Sequence, residues 1–207
     1  MFDLAYTLES YDLVPATEGI KDVAKGIVEF AKRIFKKISE RFSILKKQLA
    51  EKLQKAKTIA DAVETAIPAT KFCKYAKAAL VDIGRFNTHL RNDYFSNKPN
   101  SIEAWGVKFE TIHKAKLTDM REELRSVIRY NGRLTLTPSI IDECMDLADQ
   151  FKEIADDALK NFAGIEKVAS ISEDIENKEK LDAAVMYALT EINTISNIVG
   201  STISMDF

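Results

Sequence analysis

Turn-forming residues are scarce in this sequence. Its 207 residues include only seven glycines and four prolines, and both counts are below average usage. Because a chain with few turn-formers has few turns, the elements between them must be long. No run of about 20 apolar residues occurs, so we expect no transmembrane segment. The acidic N-terminus lacks the basic and apolar regions of a signal peptide, so we also expect an intracellular protein.

Residues that usually carry catalysis are also few. Glycine-rich phosphate loops and a G-x-S-x-G nucleophile turn do not occur, which argues against nucleotide hydrolysis and serine-hydrolase chemistry. Of the two histidines, only His113 has a metal-like spacing, with Glu110 three residues before it. A di-iron bundle needs two such pairs, and His89 has Phe86 where its glutamate would be. We therefore predict no metal, no cofactor and no enzymatic activity, with Glu110 and His113 at the surface.

The two cysteines are Cys73 and Cys144, and both fall on predicted apolar helix faces. Because free cysteine is among the most buried residue types, we expect two reduced core residues. A disulfide between them stays open as an alternative, since it becomes possible if the two helices touch.

What the sequence does contain is one long amphipathic segment, from Gly19 to Ile67. Its apolar residues recur in steps of three and four, at Ala24, Ile27, Val28, Ala31, Ile34, Phe35, Ile38, Phe42, Leu45, Leu49, Leu53 and Ala56. This period places them on one face of an α-helix. A straight helix of that length would measure roughly 70 Å. Pro68 is expected to end it.

Four further helices are predicted from the same spacing of apolar residues. They cover about residues 70–94, 101–130, 138–163 with a weaker extension to 176, and 180–199. Gly200 is expected to end the last one. The sequence thus predicts an all-α, elongated bundle of about five helices, the first very long, basic and amphipathic. Residues 1–18 would form an acidic arm or leader, and residues 19–207 a single helical-bundle domain.

One alternative concerns the end of the third helix at Asn131-Gly132. The pair readily takes the left-handed conformation that follows a helix, which favours a helix end. The flanking letters VIRY and RLTL also alternate as in a β-hairpin with a two-residue turn. We favour the helix end, because the three-and-four period runs unbroken into it from Trp105.

Charge is distributed unevenly along the chain. Residues 20–57 carry ten lysines and two arginines against four acids, a net charge of +8, whereas residues 1–19 contribute −4 and residues 58–207 contribute −6. The candidate binding surface is the basic face of the first helix: Lys25, Lys32, Arg33, Lys36, Lys37, Arg41, Lys46 and Lys47. Such a face can neutralise phosphates on nucleic acid, lie on an anionic membrane, or only offset the acids of the later helices.

The start of the chain, LESYDLVPATEGIKDVAKGIVEFAKRIFKKI, resembles the N-termini of small virion and internal head proteins of large tailed bacteriophages. In those proteins a short acidic leader precedes a small-x-Glu sequence and a lysine-rich amphipathic helix. Here Ala16, Thr17 and Glu18 match the small-x-Glu site that prohead proteases cut, and Gly19 would become the new N-terminus. The resemblance covers roughly 35 residues and implies other virion proteins as partners and packaged DNA near the basic helix.

We therefore expect a non-enzymatic structural protein of a phage head, packaged with DNA and processed after Glu18, in the virion or the host cytoplasm. One alternative is a membrane-active bundle that inserts the Ile/Phe face of its first helix, including Phe35 and Phe42, into a lipid surface. Another is a small adaptor or inhibitor that binds a host protein. The sequence does not fix the oligomeric state.

Overall fold

The protein is a bundle of α-helices. The computed structural model describes residues 20–56, 66–95, 108–131, 137–163 with 165, and 175–204. These ranges contain no β-strand and form five helices, which confirms the all-α prediction: α1 (Ile20–Ala56), α2 (Ala66–His89), α3 (Ala115–Asn131), α4 (Pro138–Ala163) and α5 (Ile175–Ser204).

Two short π-helical segments adjoin α2 and α3. Leu90–Tyr94 continues α2 without a break, and Lys108–Lys114 leads directly into α3. A π-helical turn holds more residues than an α-helical turn, so the side chains within it point in different directions from those that α-helical spacing predicts. Such turns are rare in proteins, and those that do occur are often found at functional sites.

The first turn of α4 shows how the sequence fixes a helix start. The Thr137 hydroxyl accepts a hydrogen bond from the Ile140 N–H at 3.3 Å, and the Thr137 carbonyl accepts one from the Ile141 N–H at 2.9 Å. Thr137 is therefore the N-cap, and Pro138 occupies the first helical position, where its missing N–H costs no hydrogen bond.

Helix α1 lies antiparallel along α4, and this contact forms one half of the core. The rings of Phe42 and Phe151 stack with centroids 4.4 Å apart, and those of Phe35 and Phe162 meet at 5.8 Å. A higher residue number on α1 thus pairs with a lower residue number on α4, as expected for antiparallel helices. All four rings are almost completely buried, so the predicted apolar face of the first helix is the face that packs.

The other half of the core is built around α5. This helix contacts α1, α3 and the π-helical segment Lys108–Lys114, while α2 packs against α3 and α4. Cys73 of α2 and Cys144 of α4 are both buried and free, as the sequence predicts. Their helices touch, and a hydrogen bond between the two thiols and burial raise the pKa of Cys73.

The helix boundaries differ from the prediction at three prolonged ends, the start of α2 and both ends of α5. Helix α5 begins at Ile175, so residues 175 and 176 belong to it and do not extend the fourth helix. Ile67 belongs to the first turn of α2, not to α1, because Pro68 at the third helical position lacks only an N–H that has no partner there. Helix α5 runs through Gly200 to Ser204, so the predicted end at Gly200 is wrong. Because Gly200 has no side chain, the Arg41 side chain can pack directly against the helix there; a Cβ at position 200 would lie 2.8 Å from Cδ of Arg41.

Helix α3 runs to Asn131, so residues 127–130 are helical and do not form the first strand of a hairpin. Several predicted boundaries lie outside the described residues: the acidic arm 1–18, the stretch 57–65, the helix start at 101–107 and the extension of the fourth helix over 166–174.

Candidate binding surface

The predicted processing site lies outside the described residues. Ala16, Glu18 and Gly19 all precede Ile20, where the description of the chain begins. Lys25 belongs to α1, but its side chain is also outside the described part. The structure therefore bears on seven of the eight predicted basic-face residues, and it divides them into two groups.

The first group is held by neighbouring side chains. Lys46 pairs with Asp149 of α4 at 2.6 Å, and Arg41 donates a hydrogen bond to the Asn197 amide of α5. Lys32 pairs with Glu29 one turn back on α1 at 3.0 Å. These three cations flank the buried stripe of α1, so their side chains reach the adjoining helices or lie along their own helix.

The second group consists of Arg33, Lys36, Lys37 and Lys47, all exposed. We call these four residues the cationic ridge. They lie on the side of α1 opposite the buried stripe and extend over about 21 Å at 1.5 Å of rise per residue. Among the described residues the ridge forms one ion pair, Lys36 with Glu40 at 4.0 Å, and both side chains are more than 60% exposed.

The acidic helix α4 does not neutralise the ridge. It carries seven acids against two lysines, and four of its carboxylates pair with cations outside the ridge. Asp149 binds Lys46, Glu143 binds Lys77 at 2.5 Å, and Asp156 and Asp157 bind lysines of α4 itself. The interpretation that basic-face lysines offset the acids of later helices therefore holds for Lys46. It does not hold for the ridge, whose residues face solvent.

An apolar residue lies beside the ridge. Ile44 is 59% exposed, among the largest exposures of an apolar side chain in the described part of the chain. It borders a shallow cleft of about 350 Å³ between α1 and the last turn of α5, which Gln48, Ser201 and Ser204 also line. The opposite face of α1 is closed, since Phe35 and Phe42 are fully buried.

The structure also brings together the two histidines, His89 and His113, which lie 24 residues apart in sequence. Nδ1 of His89 lies 2.7 Å from Nε2 of His113, within hydrogen-bonding distance. His113 is only 2% exposed, so its predicted surface position is wrong: it lies four residues after Phe109 and four before Leu117, both fully buried, and this spacing places it on the buried face of the helix. Glu110 is at the surface as predicted, 64% exposed and paired with Lys114 at 3.3 Å.

Both imidazoles are held in the neutral form. Burial lowers the pKa of His113 to about 4, with additional repulsion from His89 and Lys108. Burial also lowers the pKa of His89. Over the described residues, no group of three or more His, Cys, Asp or Glu side chains is placed to hold a metal ion.

Two further polar contacts are buried beneath the surface of the bundle. Tyr94 donates a hydrogen bond to Asp182 at 2.5 Å, and Arg121 of α3 pairs with Glu191 of α5 at 2.6 Å. Burial raises the pKa of Glu191, and the charge of Arg121 opposes this shift. Sequence spacing gave no signal for these pairs, because each joins two different elements.

The part of the chain that the structure describes contains no helix with the length and apolar content needed to cross a bilayer. In comparisons with protein-family models, curated proteins and solved structures, nothing matches this chain.

Proposed function

We propose that the protein is a non-enzymatic helical bundle that binds an anionic polymer, with DNA as the first candidate, through the cationic ridge of α1. The observation that carries this proposal is the separation of charge described above. Cations at the flanks of α1 are engaged by polar side chains, whereas the four ridge residues are exposed. Among the described residues the ridge forms one long ion pair, Lys36 with Glu40, and the Arg33 guanidinium lies over the Phe30 ring at 5.8 Å.

The ridge suits a phosphate backbone better than base edges. Its four cations lie on one helix of fixed backbone, so binding costs little conformational entropy beyond that of the side chains themselves. Lysine and arginine bind phosphates without reading sequence, and the ridge offers neither a helix-turn-helix nor a zinc-finger arrangement. We therefore assign it contacts to the backbone alone, independent of base sequence.

Salt dependence follows from the number of ridge cations. If each of the four neutralises one phosphate, the slope of log K against log salt concentration is about −3.6. Raising the salt from roughly 50 to 200 mM then weakens binding by about 100-fold. A slope near zero would contradict an electrostatic contact with a polyanion.

The test is a charge reversal with a matched control. We expect the variant R33E/K36E/K37E/K47E to lose most of its affinity for duplex DNA and most of the salt slope. The control K71E/K74E/K116E/R129E reverses three lysines and one arginine that are exposed on α2 and α3, so it changes the net charge by the same amount. Equal losses in both variants would refute a localised site.

The role of a phage head protein is the more specific form of this proposal, and its support is the resemblance at the N-terminus. Cleavage after Glu18 would remove four acids ahead of the basic helix and leave the ridge as the dominant charge near the new N-terminus. Intact mass and N-terminal sequencing of the protein from its natural source test it. A chain that begins at Gly19 supports maturation by a head protease, and one that begins at Met1 contradicts it.

The membrane-active alternative meets an obstacle in the packing of α1. Phe35 and Phe42 would have to enter lipid, yet both are fully buried in ring contacts with α4. Exposing them would require α1 to leave the bundle, with the loss of two large aromatic contacts. We therefore place this alternative below binding through the exposed ridge.

A further inference from the structure

Two polar contacts join the π-helical segments and their flanks: the hydrogen bond between His89 and His113 and the ion pair of Asp93 with Lys108. His89 is the last residue of α2, immediately before Leu90–Tyr94, and His113 is the penultimate residue of Lys108–Lys114. Their facing nitrogens lie 2.7 Å apart. The chain's only two histidines thus meet at the two π-helical segments found within the described residues.

Aromatic rings enclose the inner histidine. The ring of His113 lies 5.4 Å from Phe86 and 5.2 Å from Phe109, measured between centroids, and both phenylalanines are fully buried. His89 is half-buried and lies at the outer side of the pair. Water therefore reaches one imidazole of the pair more readily than the other.

Charged and titratable groups surround the pair on every adjoining element. The end of α2 contributes Asp93, which pairs with Lys108 at 2.6 Å, and Tyr94, which donates to Asp182 of α5. The second π-helical segment and the start of α3 contribute Lys108, Lys114 and Lys116. On α5, Tyr187 lies beneath the Lys114 ammonium, 4.9 Å away. Lysines thus predominate near His113.

We propose that the His89–His113 pair is a proton-sensitive joint, which tightens the contact between the two π-helical segments while the imidazoles are neutral and loosens it when both are protonated, leaving the Asp93–Lys108 ion pair as the remaining polar link. In the neutral pair one nitrogen donates and the facing nitrogen accepts. With both rings protonated, the two facing nitrogens are donors at 2.7 Å, so the hydrogen bond is lost and two like charges meet. The nearby lysines add to this repulsion.

The direction of the pH dependence follows from the shifted pKa. When the joint opens, His113 regains an ordinary pKa near 6.5, whereas in the closed joint its pKa is about 4. The open form therefore takes up a proton first, and the closed form is fully favoured above pH 6.5 and weakens as the pH falls toward 4. For His113 alone, linkage raises the opening constant by about 30-fold between neutral pH and pH 5.

Hydrogen exchange on the full-length chain tests the joint. We expect protection factors, corrected for intrinsic exchange, to fall by about 30-fold from pH 7.5 to pH 5 in peptides from the two π-helical segments. Protection of peptides from α1 and α4 should change much less, since no charged group of either helix is among those that shift the pKa of His89 or His113. A uniform loss of protection over all helices would overturn the proposal.

Variants at His113 separate proton uptake from loosened packing. In His113→Gln the amide can still donate to His89, but it does not titrate, so the local pH effect should fall to a few-fold. If this variant does not fold, His113→Phe keeps an apolar ring beside Phe86 and Phe109 and carries the same expectation. As a control, Ile112→Ala trims an exposed side chain in the same segment and should keep the full pH effect. Retention of that effect in both His113 variants would refute the joint.

Discussion

Gly200 and Arg41 offer a double-mutant cycle whose sign the structure predicts. Glycine within a helix costs about 1 kcal/mol relative to alanine, so Gly200→Ala should stabilise α5 by that amount in isolation. The new Cβ, however, would lie 2.8 Å from Cδ of Arg41. Arg41 would have to move and give up its hydrogen bond to Asn197, a loss of about 0.5–1 kcal/mol at a partly exposed site.

The two terms nearly cancel in the wild-type background, so Gly200→Ala alone should change the free energy of unfolding by less than about 0.5 kcal/mol. In an Arg41→Ala background nothing opposes the new methyl group, and the same substitution should stabilise by about 1 kcal/mol. The coupling energy is then about 0.5–1 kcal/mol. Urea denaturation with a constant m-value measures all four corners of the cycle.

Gly84 provides the control for helix propensity. It lies within α2, and a Cβ there would have no neighbour within 4 Å. Gly84→Ala should therefore stabilise by about 1 kcal/mol whether or not Arg41 is present. If Gly200→Ala stabilises equally with and without Arg41, the proposed role of Gly200 in admitting the arginine side chain is wrong.

Three further substitutions test the packing of the bundle and its partly buried ion pair. Phe42→Ala removes the ring stacked on Phe151 and should destabilise the protein by about 3–5 kcal/mol. Ile44→Ala, two residues along and 59% exposed, should cost less than about 0.5 kcal/mol. Similar losses of stability for both variants in urea denaturation would contradict the burial pattern. Arg121→Met leaves Glu191 buried without its cation and should cost about 3 kcal/mol at pH 7. That deficit should shrink toward pH 5, because burial raises the pKa of Glu191 and a protonated carboxyl needs no cation; a deficit that grows with acidity would refute this account.

The helices were predictable because their apolar period is long and uninterrupted. The stripe of α1 from Ile27 to Leu49 is buried as the spacing predicts. The outward direction of the cationic ridge follows from the same period, since it lies opposite the stripe. Which cations would pair with neighbouring helices was not predictable. Arg41 and Lys46 lie at the flanks of the stripe, where the side chains of the adjoining helix determine their partners.

The remaining errors come from packing between elements that are distant in sequence. Gly200 resembles a helix end until the Arg41 side chain is placed over it. His113 is different, because the sequence does carry a signal for it: it lies four residues from Phe109 and from Leu117, which are both fully buried, so α-helical spacing alone places it on the buried face. Neither the His89–His113 contact nor the Arg121–Glu191 pair leaves any mark in local spacing.

The antiparallel pairing of α1 with α4 also constrains the order in which the chain can fold. Contacts across it join residues 117 and 103 positions apart, as in Ser39 with Asp156 and Lys46 with Asp149. During synthesis at about 5–20 residues per second, the apolar face of α1 therefore waits roughly 5–20 s before its partner emerges. Over that interval α2 and α3 can already pair locally, whereas the apolar face of α1, which includes Phe35 and Phe42, still lacks the helix that buries it.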